Sequence, residues 1–320
     1  MTDEQRAAAW RRDGYLVVRG AFGPEHLDPV RAFIGGRVDA FARERHADGD
    51  LATLHENEPF GRRYAAIQEE LFRRQRPPQG SKPLFAVSDL CNRALYDLYT
   101  HPAITDVLRV IVGPEVTLHG ISVIRVKLPE DSQTAFPWHQ DSHYYNEHKT
   151  GRFEATTEHM RVITTWVPLV DVDTGNGCLW VIPGSHRWGF LSGARSAATG
   201  HVLIPEDVER RGTPTPLPMQ AGDVVFLTNL TLHASKVNGS DRVRWSHDFR
   251  YHPTAASTPA GSPEREATDY LDTKSHSYGT EPLSVLSAGP TPTWEEWERT
   301  SRARREALAT ASPAWGSDDG

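Results

Sequence analysis

Cysteine is scarce: only Cys91 and Cys178 stand in 320 residues. Two thiols cannot build a disulfide framework, which points to a reducing, intracellular setting. Long apolar runs are missing too. No stretch approaches the roughly 20 residues that a spanning helix needs. The opening residues, MTDEQRAAAWRRDGY, contain no apolar core of a secretory signal. The sequons at Asn229 and Asn238 are then expected to carry no glycan. The closing Ser-Asp-Asp-Gly is no peroxisomal address. A cytoplasmic location without a membrane partner is the expectation. Excess positive charge is also lacking. With 35 basic and 42 acidic residues the net charge is −7 and the pI about 6.1, which argues against nucleic acid as a partner. No polybasic patch is present to meet the phosphates of coenzyme A. Internal repeats and low-complexity tracts are absent, and nothing in the sequence speaks to oligomeric state.

What is present suffices for a substantial core. Hydrophobic residues make up 38%, including nine Trp and eleven Phe. A chain of this length can form one domain when an all-β barrel carries appended helices. Helical signals come first. Residues 4–13 read as a short helix broken at Asp13-Gly14, followed by a short β-rich run, Tyr15–Arg19. A second helix begins at Pro24 and runs to about Arg45, with Leu27, Val30, Phe33 and Ile34 at helical spacing. Residues 46–85 are polar and broken by Arg-Pro-Pro-Gln-Gly at 76–80. They predict one helix, 63–74, in a surface loop. Helix resumes over 87–112 with a break near His101-Pro102.

From Val116 the texture changes to short β-branched runs: 116–128, 161–170, 178–183, 201–204, 223–232 and 242–251. Strands of this length and spacing predict an antiparallel barrel or jelly roll, giving an α+β order. Beyond Pro253 the chain is rich in Pro, Ser, Thr, Ala and Gly to about 292. Thr293-Trp-Glu-Glu296 then predicts a capped helix to about Thr310. Trp294 and Trp297 share a face and should dock it on the body, with the last eight or so residues frayed. The expected organisation is a body over 1–252, with its barrel core at about 116–252, and an extension over 253–320 packed on the same domain.

The chemistry concentrates at His139-Gln-Asp141. In an extended segment, residues two apart point the same way, so both side chains can reach one ion. Imidazole with carboxylate suits Fe(II), and three protein ligands on one face leave positions open for a co-substrate and O₂. Alone the pair is a weak signal in a chain with 15 histidines. A third ligand must come from a distant strand. His233 follows the β run Gly222–Leu227 and lies 92 residues beyond Asp141. A lone histidine at a strand end is ordinarily hydrogen-bonded or exposed; its context changes that reading. In the next run, Arg244 and Ser246 share a face. A dicarboxylate chelating iron through its 2-oxo acid end leaves its other carboxylate deep in the barrel. There an arginine fork and a hydroxyl can take it. Arg242 is the competing candidate.

The set of motifs resembles the phytanoyl-CoA dioxygenase family of Fe(II)/2-oxoglutarate-dependent oxygenases. The matching stretches are Asp13–Gly20, Trp138–Asp141, Asn176–His186, Ala221–Phe226, Leu232–Ser235 and Asn238–Ser246, in the family's order. They cover roughly residues 8–252. The resemblance implies a double-stranded β-helix, that is, a jelly-roll or cupin-like barrel. It implies iron on His139, Asp141 and His233, and the distal 2-oxoglutarate carboxylate on Arg244 and Ser246. The eleven-residue step from His233 to Arg244 fits the family pattern and favours Arg244 over Arg242. Lys127 resembles a position that contacts co-substrate or substrate, and Trp166 one that lines the pocket. Pro183–His186 resembles an architectural turn, so His186 is not expected to bind metal. His143, Tyr144 and Tyr145 are candidates for the pocket wall, whereas His148 and His159 read as surface residues.

The activity implied is hydroxylation of an unactivated C–H bond in a small molecule. Fe(II), 2-oxoglutarate and O₂ would be consumed or used together, releasing succinate and CO₂. Asp141 stands where related halogenases have a small residue, which argues against halogenation. Desaturation or oxidative cyclisation is the alternative outcome. A cupin-type metal barrel that does not use 2-oxoglutarate and a non-catalytic binding module are the alternative classes. The Ala-, Arg- and Gly-rich composition resembles that of high-GC bacteria, in which the family often serves secondary metabolism. A natural-product or amino-acid-like substrate is therefore expected.

Overall fold

The structure is a computed structural model that describes residues 1–75, 84–85, 87–145, 159–276 and 280–311. The predicted break at 76–80, His148 and the frayed C-terminal residues fall outside these. Helix α1 (Asp3–Asp13) opens on a capping box in which the Thr2 hydroxyl accepts from Gln5 N and Gln5 Oε1 accepts from Thr2 N. It stops at Gly14, whose φ of +76° lies in the left-handed region. Glycine is needed here twice over, because a Cβ would collide with the His186 imidazole and the Thr231 hydroxyl.

Strand β1 (Tyr15–Val18) leads into α2 (Pro24–Ala47), which buries Leu27, Val30, Ile34, Val38 and Ala42 as one stripe. Helices α3 (Phe60–Arg73), α4 (Arg93–Tyr99) and α5 (Pro102–Ile111) complete this layer. The break at His101-Pro102 separates α4 from α5, and His101 Nδ1 caps the second by accepting from Ala103 N.

Strands then take over, with two short α-helices between them among the described residues. In order they are β2 (Val116–Lys127), β3 (Phe136–His139), α6 (Ser142–Tyr145), β4 (Ile163–Pro168), β5 (Leu179–Val181), β6 (Ala194–Arg195) and β7 (Val202–Leu203). There follow α7 (Val208–Arg211), β8 (Thr215–Leu217), β9 (Val224–Thr228), β10 (His233–Ser235) and β11 (Arg244–Pro253). The C-terminal part adds α8 (Pro263–His276), β12 (Leu283–Leu286) and α9 (Trp294–Ala311). A six-stranded antiparallel sheet, β1-β9-β4-β11-β2-β12, and a four-stranded one, β3-β10-β5-β8, both line one cavity. This is the jelly-roll barrel expected from the sequence.

Strand β11 shows how alternation divides the labour. Trp245, Phe249 and Tyr251 face the helices and are fully buried. The Trp245 ring stacks on Phe60 at 5.6 Å, and Phe249 meets Tyr99 edge-on at 4.9 Å. The residues between, Arg244, Asp248 and Arg250, face the cavity. One strand supplies both a hydrophobic core and a charged wall.

One expectation needs correction. The run 223–232 is not one strand. Strand β9 ends at Thr228 in the large sheet and β10 begins at His233 in the small one, so the chain crosses between sheets at 229–232. Asn229 fixes the crossing: its backbone N–H donates to Val162 O at 3.0 Å and its side-chain amide to the Ser142 hydroxyl at 2.7 Å. The stretch 253–292, read only as rich in Pro, Ser, Thr, Ala and Gly, is partly regular. It holds α8, whose buried apolar side chains among the described residues are Ala267 and Leu271, and β12, which pairs with β2 at the sheet edge. Trp297 is 3% exposed and its indole N–H donates to Glu281 O at 2.7 Å, so α9 docks through it. Among the described residues no helix is long and apolar enough to cross a membrane.

Candidate metal centre

His139 ends β3 and His233 begins β10. The two residues are direct partners in the ladder, which brings their rings to a centroid separation of 4.1 Å. Asp141 lies two residues past His139, with Oδ1 3.7 Å from His139 Nε2 and 3.5 Å from His233 Nε2. All three donor atoms lie within 4.8 Å of one another, and all three residues are buried. A first-row ion bonded at about 2.0–2.2 Å to each fits between them, since two such bonds can span up to roughly 4.4 Å.

The surroundings fix which atoms point at that space. His139 Nδ1 is 2.8 Å from Pro137 O and His233 Nδ1 is 2.9 Å from Thr231 O. A carbonyl can only accept, so Nδ1 carries the proton and Nε2 is left as the donor atom. Asp141 is oriented in the same way, because the Thr164 hydroxyl donates to Oδ2 and Arg250 lies 3.8 Å from that oxygen. Oδ1 is thereby the oxygen offered to both imidazoles. Gln140, fully buried between the two ligand positions, latches the segment. Its amide donates to Gly189 O and Leu230 O, and its oxygen accepts from Leu191 N, each at 2.8 Å.

Electrostatics favours the ligand forms of His139 and Asp141. Burial, and then the neighbouring His233, push His139 down to about 4. Burial works against the Asp141 carboxylate, yet the charge of His233, the imidazole hydrogen bonds and Arg250 together hold it well below the usual range. His233 is likewise disfavoured as a cation by burial, and Asp141 overrides this and raises it.

The centre opens into a cavity of about 520 Å³. Arg244 is 4% exposed at its far wall, its Nη1 donating to the Ser246 hydroxyl at 2.6 Å and its guanidinium 5.4 Å from the Trp166 ring centroid. Its Nε is buried with no hydrogen-bond partner among the described residues. Directly opposite in the ladder stands Lys127, 1% exposed, with Nζ donating to Thr134 O at 2.5 Å and Lys236 O at 2.7 Å. Burial, and then Arg244, bring Lys127 down to about 7; burial and then Arg125 bring Arg244 to about 10. Two buried cations on neighbouring strands are costly without an anion between them. This arrangement fits a carboxylate ligand. Arg242, the competitor, lies before β11 begins, is 74% exposed and pairs with Asp241.

The other candidates are dispersed. His186 packs beneath Gly14 with Nε2 3.3 Å from Arg11 O, away from the three ligand positions. His143 is buried between Gln140 O and Leu191 O, and His159 pairs at the surface with Glu264. Tyr144 lines the cavity; nothing is described of the Tyr145 side chain. Sequence reasoning missed Thr164, Arg125, Asp248 and Arg250. The signal for the last two was available, since Arg244, Ser246, Asp248 and Arg250 recur at every second position of one strand.

The family profile described as phytanoyl-CoA dioxygenase matches residues 10–246. The chain is 24% identical to phytanoyl-CoA dioxygenase domain-containing protein 1 of Danio rerio over 284 residues, 84% of this chain and 96% of that one. It is 26% identical to the ectoine dioxygenase of Bordetella parapertussis over 244 residues, 72% of this chain and 68% of that one. Among solved structures, the apo form of the non-heme monooxygenase ThoJ has a TM-score of 0.58 at 18% identity, covering 95% of both chains. EctD from S. alaskensis with 2-oxoglutarate and 5-hydroxyectoine has a TM-score of 0.53 at 19% identity, covering 80% of this chain and 77% of its own. The fold and the cluster together define a jelly-roll oxygenase with a metal-binding site. The chain belongs to the phytanoyl-CoA dioxygenase family of Fe(II)/2-oxoglutarate-dependent oxygenases. It is a 2-oxoglutarate-dependent dioxygenase, with iron and 2-oxoglutarate as its cofactors.

Proposed function

We propose that this enzyme hydroxylates an unactivated C–H bond of a small natural-product or amino-acid-like molecule. On this reading His139, Asp141 and His233 hold the iron, and Arg244, Ser246 and Lys127 hold the distal carboxylate of 2-oxoglutarate. Trp166 backs the Arg244 guanidinium. One observation carries the reading: a buried His-Asp-His cluster and two buried basic side chains, Arg244 and Lys127, with no ion pair among the described residues, line a single cavity. Bound iron with 2-oxoglutarate supplies an O₂-derived oxidant, with succinate and CO₂ as co-products.

The chain's own residues do the positioning. Pro137 O and Thr231 O hold both imidazoles with Nε2 inward, and Thr164 turns Asp141 so that Oδ1 faces them. Arg244 and Lys127 then set the orientation of the dicarboxylate, and the buried walls exclude water from the reacting bond. The ectoine dioxygenase relative supports a small, soluble substrate. We also take 253–320 as part of the same domain, a view supported by the pairing of β12 with β2.

The test has two readouts. Asp141→Ala should bind iron at least tenfold more weakly, since even changes outside the ligand set cost about 10–100-fold, and should release no succinate. A variant that keeps both iron and turnover would refute the ligand assignment. Mass spectrometry of the product separates hydroxylation, which adds one oxygen, from desaturation or cyclisation, which removes two hydrogens.

A further inference from the structure

Four basic side chains, Arg125, Lys127, Arg244 and Arg250, face two carboxylates, Asp141 and Asp248, in the cavity. The inference drawn from this rests on the function proposed above. There, Asp141 and the chelating carboxylate of 2-oxoglutarate balance a divalent iron, and the distal carboxylate answers the Arg244–Lys127 pair. Asp248 is left between two guanidinium groups. Arg125 grips it through Nε and Nη2 at 2.7 and 3.2 Å, and Arg250 Nη1 lies 2.5 Å from the same carboxylate. Arg250 also lies 3.8 Å from Asp141 Oδ2, so both buried acids are engaged, and the charge of this cluster that is turned outward is that of Arg125.

That charge has a direction. The side chains of Asp248 and Arg250 are 3% and 9% exposed, whereas that of Arg125 is 35% exposed. Asp248 occupies the Nε–Nη2 edge of Arg125, and Nη1 is no part of that grip. The Arg125 guanidinium also lies 5.2 Å from the Phe136 ring centroid, and Phe136, Tyr144 and Leu179 line the same cavity. A cavity for a cationic substrate would gain by a further carboxylate here. What this one presents instead is a half-exposed cation, held rigid by a buried acid and bordered by aromatic rings.

We propose that the substrate is an organic anion, its carboxylate or phosphate taken by Arg125 and its apolar body laid against Phe136 and Tyr144. Arg125 is then a specificity-determining residue, and Asp248 is the positioning residue that fixes its guanidinium plane.

Because the natural substrate is unidentified, the test uses matched probes: 3-phenylpropanoate, 3-phenylpropanamide and phenyl phosphate. Each is titrated calorimetrically into anaerobic protein loaded with Fe(II) and saturating 2-oxoglutarate. At least one of the two anions should bind tenfold or more tightly than the amide, and the tighter of them identifies the headgroup. The preference should fall to within twofold in Arg125→Met and survive in part in Arg125→Lys, with thermal melting checking that both variants fold. Equal binding of anion and amide by the wild type overturns the proposal without recourse to any variant. A preference that persists in Arg125→Met, or an anion displaced by added 2-oxoglutarate, overturns it as well. Protein that takes up neither iron nor 2-oxoglutarate would sink the parent reading first. Loaded protein indifferent to probe charge sinks only this one.

Discussion

Replacing Arg244 by methionine separates a ligand-binding role from a structural one. The guanidinium is buried and faces Lys127 across the ladder, and its Nε has no partner among the described residues. In the ligand-free protein it is therefore a burden: burial and the nearby Arg125 have already brought it down to about 10. With a carboxylate in the cavity the sign reverses. Truncating one partner of a buried charged pair costs about 2–5 kcal/mol, which at about 1.4 kcal/mol per decade is between thirtyfold and several thousandfold in affinity. The low end is the better expectation. Without Arg244, Lys127 is relieved of a like charge, regains its proton and recovers part of the attraction. Arg244→Met should therefore weaken 2-oxoglutarate binding about thirty- to a hundredfold. The ligand-free protein should melt at the same temperature as the wild type or higher. Isothermal titration on anaerobic, iron-loaded protein gives the first number and scanning calorimetry of the apoprotein the second. An affinity within threefold of wild type, or a melting temperature depressed by several degrees, would show that the guanidinium serves the fold and not the co-substrate.

Three more outcomes follow from neighbouring residues. Thr164→Val removes the hydroxyl that orients Asp141 and keeps its shape; iron affinity should fall about 10–100-fold while far-ultraviolet circular dichroism is unchanged, and full retention of iron would mean that the hydroxyl is incidental. Lys127 makes 2-oxoglutarate binding depend on pH. Its ammonium sits at about 7 in the empty cavity and an anion favours the charged form, so binding takes up a proton above that value. The association constant should be flat below about pH 7 and fall up to tenfold per unit above it, and Lys127→Met should abolish the slope; a wild-type profile flat from pH 6.5 to 8.5 contradicts this. Trp245→Ala, on the helix-facing side of β11 against Phe60 and Tyr64, should cost about 3–5 kcal/mol in denaturant unfolding, and a loss below 1 kcal/mol would mean that the helical layer contributes little to holding the sheet.

The elements that the sequence made legible are those with a strong local signature. Gly14, Pro24 and His101-Pro102 punctuate helices because each changes what the backbone can do within one or two residues. The elements that escaped have no such signature. Strand β12 is four residues long between Pro282 and Gly289, so its composition reads as loop, and only its pairing with β2 makes it a strand. Among the described residues helix α8 buries two apolar side chains, too few to set a period. The crossing at 229–232 is invisible for a related reason. The hydrophobic run continues through Leu230 and Leu232, and only the third dimension shows that it leaves one sheet for the other.

The site divides along the same line. His139 and Asp141 are two apart on extended backbone, so their convergence is a local property, and the Arg244–Ser246 pair follows from the same alternation. Thr164 is different. It lies in Ile163–Pro168, where every residue is buried, so alternation carries no polar signal and a hydroxyl in a β-branched run reads as ordinary strand chemistry. Its role exists only because β4 lies beside β11 in the same sheet, next to the crossing that delivers His233. Asp248 and Arg250 had the local signal but lacked a reason. Two charges facing inward on one strand look like an error until the neighbouring strand β2 supplies Arg125 and the metal cluster supplies Asp141. What the sequence conveys, then, is which side chains can reach the interior; which of them act together depends on contacts between strands that are far apart in the chain.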